Sequence, residues 1–171
     1  IIKTIKHIAP TFGGINLEDI AAPRCFEIER RLKEELDIPV FHDDQHGTAI
    51  VTLAALINAL KFTKRSKDTA KIVLSGAGAA GIAIAKLLLH YGVQNITLCD
   101  SKGIIHKERN NLNDAKKAML AVTNKDNKQG SLADAMKEAD VFVGISAPNI
   151  VSKEMVQSMN DDPIIFAMAN P

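Results

Sequence analysis

The chain has 171 residues, 46% of them hydrophobic and 24% charged, and a formal net charge of +1. It is long enough and apolar enough to bury a core, and its balanced charge leaves no basic footprint for nucleic acid. No apolar run approaches the roughly 18 to 20 residues that span a bilayer, and the opening IIKTIKHIAP lacks the charged start, apolar centre and cleavage site of an export signal.

Cys25 and Cys99 have no metal-type spacing. Two cysteines in a chain of this size fit a reducing, cytoplasmic setting, and both are expected as small buried apolar residues. The chain begins at Ile1 without Met and stops at Asn170-Pro171 directly after an apolar run, so an internal piece of a longer protein is expected.

From Ile1 to Phe12 apolar and basic residues are mixed, and Phe12-Gly13-Gly14-Ile15-Asn16 reads as a turn from its Gly pair. Leu17-Glu18-Asp19-Ile20 then leads to Pro23, a favoured residue in the first turn of a helix. In that helix Cys25, Ile28, Leu32 and Leu36 recur every three or four positions as one apolar stripe. Glu27 with Arg31 and Glu29 with Lys33 lie four apart on the expected solvent side, each pair worth about 0.2–0.5 kcal/mol.

Ile38 to Phe41 is an extended run, and His42-Asp43-Asp44-Gln45-His46-Gly47-Thr48 is a polar cluster without helical or strand periodicity. A helix is predicted from Thr48 to Phe62, with Ile50, Leu53, Ala54, Ile57 and Leu60 on its inner face. After the spacer Lys61 to Asp68 the pattern alternates. Lys71 to Ser75 is a strand, Ala79 to Tyr91 a helix closed by Gly92, and Asn95 to Cys99 a strand.

Asp114 to Val122 reads as a helix, followed by the polar loop Thr123 to Gly130. Ser131 and Asp134 form a capping box for a helix from Leu132 to Lys137. Val141 to Ile145 is a strand, Ser152 caps a helix reaching Met159, and Ile164 to Met168 is a further strand. Repeated strand and helix need crossover connections, which predicts an α/β fold with a mainly parallel, doubly wound, Rossmann-like sheet.

Gly76-Ala77-Gly78-Ala79-Ala80-Gly81 matches G-x-G-x-x-G between a predicted strand and a predicted helix. The first Gly permits the turn, the second lets backbone approach a pyrophosphate, and the third lets helix pack on strand. The phosphates then meet free N–H groups and the positive end of the helix dipole. Asp100 lies 24 residues after Gly76 at a strand end, close to the roughly 20-residue offset of the acid that accepts ribose hydroxyls. A dinucleotide is therefore the expected cofactor. NAD is favoured by the charge of Asp100, and NADP stays admissible because Ser101 and Lys102 follow it. Gly144-Ile145-Ser146-Ala147-Pro148-Asn149 leaves the next strand at the same edge, where Ser146 and Ala147 would let a flat ring approach the backbone.

Two acidic pairs, Glu18-Asp19 and Asp43-Asp44, flank the first apolar-striped helix. Converging carboxylates without basic partners suit a hard divalent cation such as Mg²⁺ or Mn²⁺, although acidic pairs at loop ends are also common.

Four ordered motifs, Phe12 to Ile20, Phe41 to Ala49, Gly76 to Gly81 and Ala169-Asn170-Pro171, together resemble the malic enzymes over essentially the whole chain. The run F-x-D-D-x-x-G-T-A is the most specific of them, and its Gln45-His46 version is similar to the bacterial branch. The resemblance implies metal-dependent oxidative decarboxylation of (S)-malate to pyruvate and CO₂ with NAD or NADP as acceptor. It implies Glu18, Asp19 and Asp44 as ligands of Mg²⁺ or Mn²⁺, with Asp43 as a further active-site carboxylate and Asn170 touching substrate and cofactor. It places the general-acid Tyr and general-base Lys before Ile1, which leaves Tyr91 structural and the fragment alone inactive.

His42 and His46 are expected to support the acids rather than to ligate. Residues 1–43 would be the tail of a substrate domain and 44–171 a dinucleotide domain, in a homodimer or larger homo-oligomer without nucleic-acid or membrane partners. The rival readings are a metal-independent amino-acid or hydroxyacid dehydrogenase and a non-catalytic dinucleotide sensor or interaction module, neither of which needs the Glu18, Asp19 and Asp44 set.

Overall fold

The computed structural model describes residues 1–169. Helix α1 (Ile2–Ile8) and a 3₁₀ turn (Ala9–Thr11) lead to the short strand β1 (Ile15–Leu17), then α2 (Arg24–Glu35) and β2 (Val40–His42). β1 and β2 pair in parallel, with Leu17 opposite His42. This unit has its own small core of Leu17, Ile28, Leu32 and Val40, with Ile2, Ile5 and Ile15 packed on it.

A π-helical turn (Asp43–Gly47) runs directly into α3 (Thr48–Phe62). The sheet then forms from β3 (Lys71–Ser75), β4 (Asn95–Asp100), β5 (Gly103–Ile104), β6 (Val141–Gly144) and β7 (Ile164–Ala167) in the order β5-β4-β3-β6-β7. β3, β4, β6 and β7 are parallel and β5 is antiparallel to β4. Residues of the parallel strands alternate between two cores. Ile72, Leu74, Ile96, Leu98, Val141 and Val143 face Leu56 and Leu60 of α3 and Ile84 and Leu88 of α4 (Ala79–Tyr91). Val73, Cys99 and Phe142 face Met136 of α6 (Leu132–Met136) and Met155 of α7 (Lys153–Gln157). Helices thus cover both faces, as the doubly wound prediction required.

Local signals explain several ends. Gly92 closes α4 in a left-handed conformation at φ 104°. Asn113 caps α5 (Asp114–Met119), and Ser131 and Asp134 form the capping box of α6.

Other expectations shift. Ile2–Ile8 is a helix and Ile15–Leu17 a strand rather than part of a turn, both held by packing on α2 and β2. The polar cluster after His42 is helical, in the wide i→i+5 form. α3 buries Ala49, Thr52, Leu56 and Leu60, while Ile50 and Ala54 face outward. That helix is apolar on almost every side, so its sequence does not single out an inner face. Glu29, expected in solvent, is buried. Several ends fall short of the predicted ones: α5 stops at Met119, α6 at Met136, β6 at Gly144, α7 at Gln157 and β7 at Ala167. Cys25 and Cys99 are free thiols and fully buried, as expected. Among the described residues no helix is long and apolar enough to cross a membrane.

Candidate active site

The glycine loop leaves β3 at the carboxyl edge of the sheet, beside the end of β6. Gly76 has φ 126°, and a methyl group there would lie 2.9 Å from the Ile145 side chain. At Gly81 a methyl group would sit 1.7 Å from the Gly76 carbonyl oxygen, so α4 can cross this close only without one. At Gly78 nothing lies within 4 Å. Two of the three glycines are thus required by the fold, and the middle one keeps open space at the N-terminus of a 13-residue helix, the geometry that favours an anion.

This loop lines a cavity of about 450 Å³ together with Asp100, Ser101, Lys116, Ile145 and Ser146. Ala22 and Phe26, from the segment that follows Glu18-Asp19, line it too. Ser146 Oγ lies 3.4 Å from Ser75 Oγ, while Ala147 is exposed beside it. Asn170 lies outside the described residues.

Asp100 is more engaged than its spacing suggested. Arg109 grips both carboxylate oxygens at 2.8 and 2.9 Å, Lys116 Nζ approaches to 2.6 Å, and the Lys102 N–H donates at 2.9 Å. Burial by itself would raise this carboxyl, but the two cations and the N–H overcome it and hold the group well below the usual carboxylate range. Asp100, Arg109 and Lys116 together carry a net charge of +1, so repulsion of a 2′-phosphate by Asp100 is offset on the spot. Arg109 and Lys116 were absent from the sequence expectations. They reach Asp100 from nine and sixteen residues away through an irregular loop, a distance that no motif encodes. Beside this trio, burial pushes the Cys99 thiol up to about 12, which suits an inert core residue.

The parallel pairing of β1 with β2 brings the two acidic pairs to neighbouring strand ends. The Asp19 N–H donates to Asp44 Oδ2 at 2.8 Å, and Asp19 itself adopts φ 57°, a left-handed conformation uncommon for a residue with a side chain. Asp43 sits over Gly47, where a methyl group would lie 2.3 Å from its Oδ1. The donor chemistry fits a hard divalent cation, and the topology collects it from two strands. Among the described residues, however, no three of these groups are already gathered tightly enough to hold a metal. Asp43 and Asp44 also stand in the first turn of a helical segment, where negative charge is favourable in any case.

Two features support this corner. Glu29 of α2 accepts hydrogen bonds from Lys33 at 2.6 Å and Gln45 at 3.2 Å, and lies 2.5 Å from His46 Nε2. Burial raises its carboxyl, and Lys33 and His46 bring it below its ordinary value. The π-helical turn is therefore tied to α2 on one side and packs against α4 on the other. His42, at the end of β2, is fully buried, and neither ring nitrogen has a hydrogen-bond partner among the described residues. Its Nδ1 is 3.9 Å from Asp44 Oδ2. Each such unpaired group costs on the order of 1–3 kcal/mol.

Tyr91 stands at the opposite end of α4 from the glycine loop, with Lys67 Nζ 5.7 Å from its ring centre. It is remote from this cavity, as expected of a structural residue.

Comparison with known proteins matches residues 45–171 to the family model "Malic enzyme, NAD binding domain" and residues 1–33 to "Malic enzyme, N-terminal domain". Over 100% of its length the chain is 62% identical to a bifunctional malic/malolactic enzyme of Bacillus subtilis and 59% identical to an NAD-dependent malic enzyme of Geobacillus stearothermophilus. An NADP-dependent malic enzyme of Halomonas elongata is 52% identical over 99% of the chain. These matches cover 42%, 36% and 40% of the three proteins, so the chain spans about two fifths of the curated relatives it matches. The crystal structure of an NAD-dependent malic enzyme from Thermotoga maritima superposes with a TM-score of 0.96, at 47% identity over 99% of this chain and 46% of that one. With a dinucleotide-domain model covering most of its length and relatives of this identity throughout, the chain belongs to the malic enzyme family.

Proposed function

We propose that the full-length protein converts (S)-malate to pyruvate and CO₂ with reduction of NAD or NADP, and that this chain supplies its dinucleotide cradle and metal-binding carboxylates. The observation that carries the reading is the shared cavity. The Gly76–Gly81 loop lines it, and so do Ala22 and Phe26, just past the Glu18-Asp19 pair. Asp19 is thus three residues in sequence from a residue that lines the cofactor cavity.

In this reading the N–H groups of Gly76, Ala77, Gly78, Ala79, Ala80 and Gly81 and the α4 N-terminus hold the pyrophosphate. Asp100 and Ser101 bind the ribose, Ser146 and Ala147 border the nicotinamide, and Asn170 contacts substrate and cofactor. Glu18, Asp19 and Asp44 hold Mg²⁺ or Mn²⁺, with Asp43 beside them. When bound, the ion supplies Lewis-acid polarisation of the malate C2 oxygen and stabilises negative charge developed on loss of CO₂. We assign no general acid or base within residues 1–171.

The domain division proposed is 1–43 and 44–171, supported by the separate core of the first unit. A cytoplasmic, homo-oligomeric protein completes the reading, in keeping with two free buried thiols. Among the described residues no group of three ligands is already assembled, and the second reading is a metal-independent amino-acid or hydroxyacid dehydrogenase, which needs none of Glu18, Asp19 and Asp44.

Asp44→Asn in the full-length enzyme decides between them, since it removes a ligand charge while keeping the shape. Mn²⁺ affinity and decarboxylation should both fall by orders of magnitude, while NAD binding persists. Normal activity and metal dependence in that variant would remove Asp44 from the metal site.

A further inference from the structure

We propose that His42 is a positioning residue for Asp44, its imidazole N–H holding the carboxylate in the orientation that a divalent cation requires. The proposal rests on the metal reading above and gives the general expectation that His42 supports the acids a specific partner and task.

The argument starts from burial. His42 is fully buried at the end of β2, two residues before Asp44, and both ring nitrogens lack a hydrogen-bond partner among the described residues. A site that served packing alone would be better filled by an apolar ring, because buried polar groups without partners destabilise the fold. The neutral imidazole always has one N–H to give. A carboxylate oxygen stands just beyond hydrogen-bonding distance: Asp44 Oδ2 is 3.9 Å from Nδ1. That oxygen now takes the Asp19 N–H at 2.8 Å. A movement of the carboxylate by about 1 Å brings the imidazole to ordinary hydrogen-bonding distance.

The backbone around His42 is held. β2 pairs with β1 in register at Leu17 and His42, and the turn that follows is fixed through Gln45 and His46 to Glu29. The imidazole is thus a stationary donor, and Asp44, half-buried in the next turn, is the group that can adjust. Supporting residues of this kind orient metal-binding side chains, and their loss typically costs about 10- to 100-fold in affinity.

The test uses the full-length enzyme without malate, measuring Mn²⁺ binding by the electron paramagnetic resonance signal of the free ion, and thermal unfolding of the metal-free protein. His42→Phe keeps an aromatic ring and removes both nitrogens, and His42→Leu repeats the loss in a second shape. His42→Asn places an amide N–H near the position of Nδ1. The expected result is Mn²⁺ binding at least about tenfold weaker in His42→Phe and His42→Leu, with a melting temperature of His42→Phe at or above that of the wild type. His42→Asn should recover most of the affinity, and NAD binding should be unchanged in all three.

Wild-type Mn²⁺ affinity in a folded His42→Phe or His42→Leu would overturn the proposal, as would equally weak binding by His42→Asn. Asp44→Asn measured alongside separates the two levels. If Asp44→Asn binds Mn²⁺ as the wild type does, the metal reading itself fails. If Asp44→Asn loses the ion and His42→Phe does not, only the role of His42 is lost.

Discussion

A methyl group added at Gly78 meets nothing within 4 Å, whereas at Gly81 it collides with the Gly76 carbonyl. These two glycines should therefore fail in different ways. Gly78→Val is expected to abolish dinucleotide binding while the melting temperature stays near that of the wild type, and isothermal titration with NAD beside thermal unfolding checks both. Gly81→Ala should instead lower the melting temperature, because neither backbone can yield. Asp100 poses a different problem, since among the described residues its carboxylate is the one negative charge paired with Arg109 and Lys116. Asp100→Asn should cost about 1.5–3 kcal/mol, the scale of hydrogen bonds to charged groups, and raise kcat/KM for NADP relative to NAD. A constant NADP to NAD ratio would show that Asp100 does not reach the ribose. Its carboxyl is held below the unfolded value, so its contribution is present above about pH 4 and lost as pH falls toward the folded value. Urea midpoints at pH 7 and pH 3.5 should differ less in Asp100→Asn than in the wild type.

Among the elements, α2 and the π-helical turn depend on each other through Glu29. Glu29→Ala removes the acceptor shared by Lys33, Gln45 and His46 and should destabilise the protein by about 1.5–3 kcal/mol, the scale of hydrogen bonds to charged groups. Thermal unfolding reads the loss, and the exchange of backbone amides in Asp43–Gly47 should quicken with it. The β3, α4, β4 unit was legible in sequence because its periodicity, glycine loop and closing Gly92 all agree on the same boundaries. α1 was not legible, since a seven-residue helix with no buried residue of its own leaves too short a pattern to read. β1 and β2 have three residues each and exist through pairing with one another, a contact between segments that local propensity cannot show. The candidate site divides in the same way. Its glycines and acids stand at recognisable spacings, while the ion pairs of Asp100 and the burial of His42 arise only when distant segments meet.

For the molecule as a whole, the two cores differ in the surface they leave outside. Phe62 is 89% exposed at the end of α3, with Val51 and Ile50 also outward on that helix. β7 lies at one end of the sheet with Ile165 exposed. Exposed apolar groups of this size promote association, so the 171-residue chain by itself should sediment with a concentration-dependent mass, and Phe62→Ser should reduce that dependence. The centre of the sheet behaves oppositely. β3 is hydrogen-bonded on both sides, and every residue from Ile72 to Ser75 is buried. Amides in such a strand exchange with solvent only when the whole domain opens. The glycine loop is rooted in this segment, so a ligand arriving there finds its cradle already folded and has little chain entropy to remove on binding.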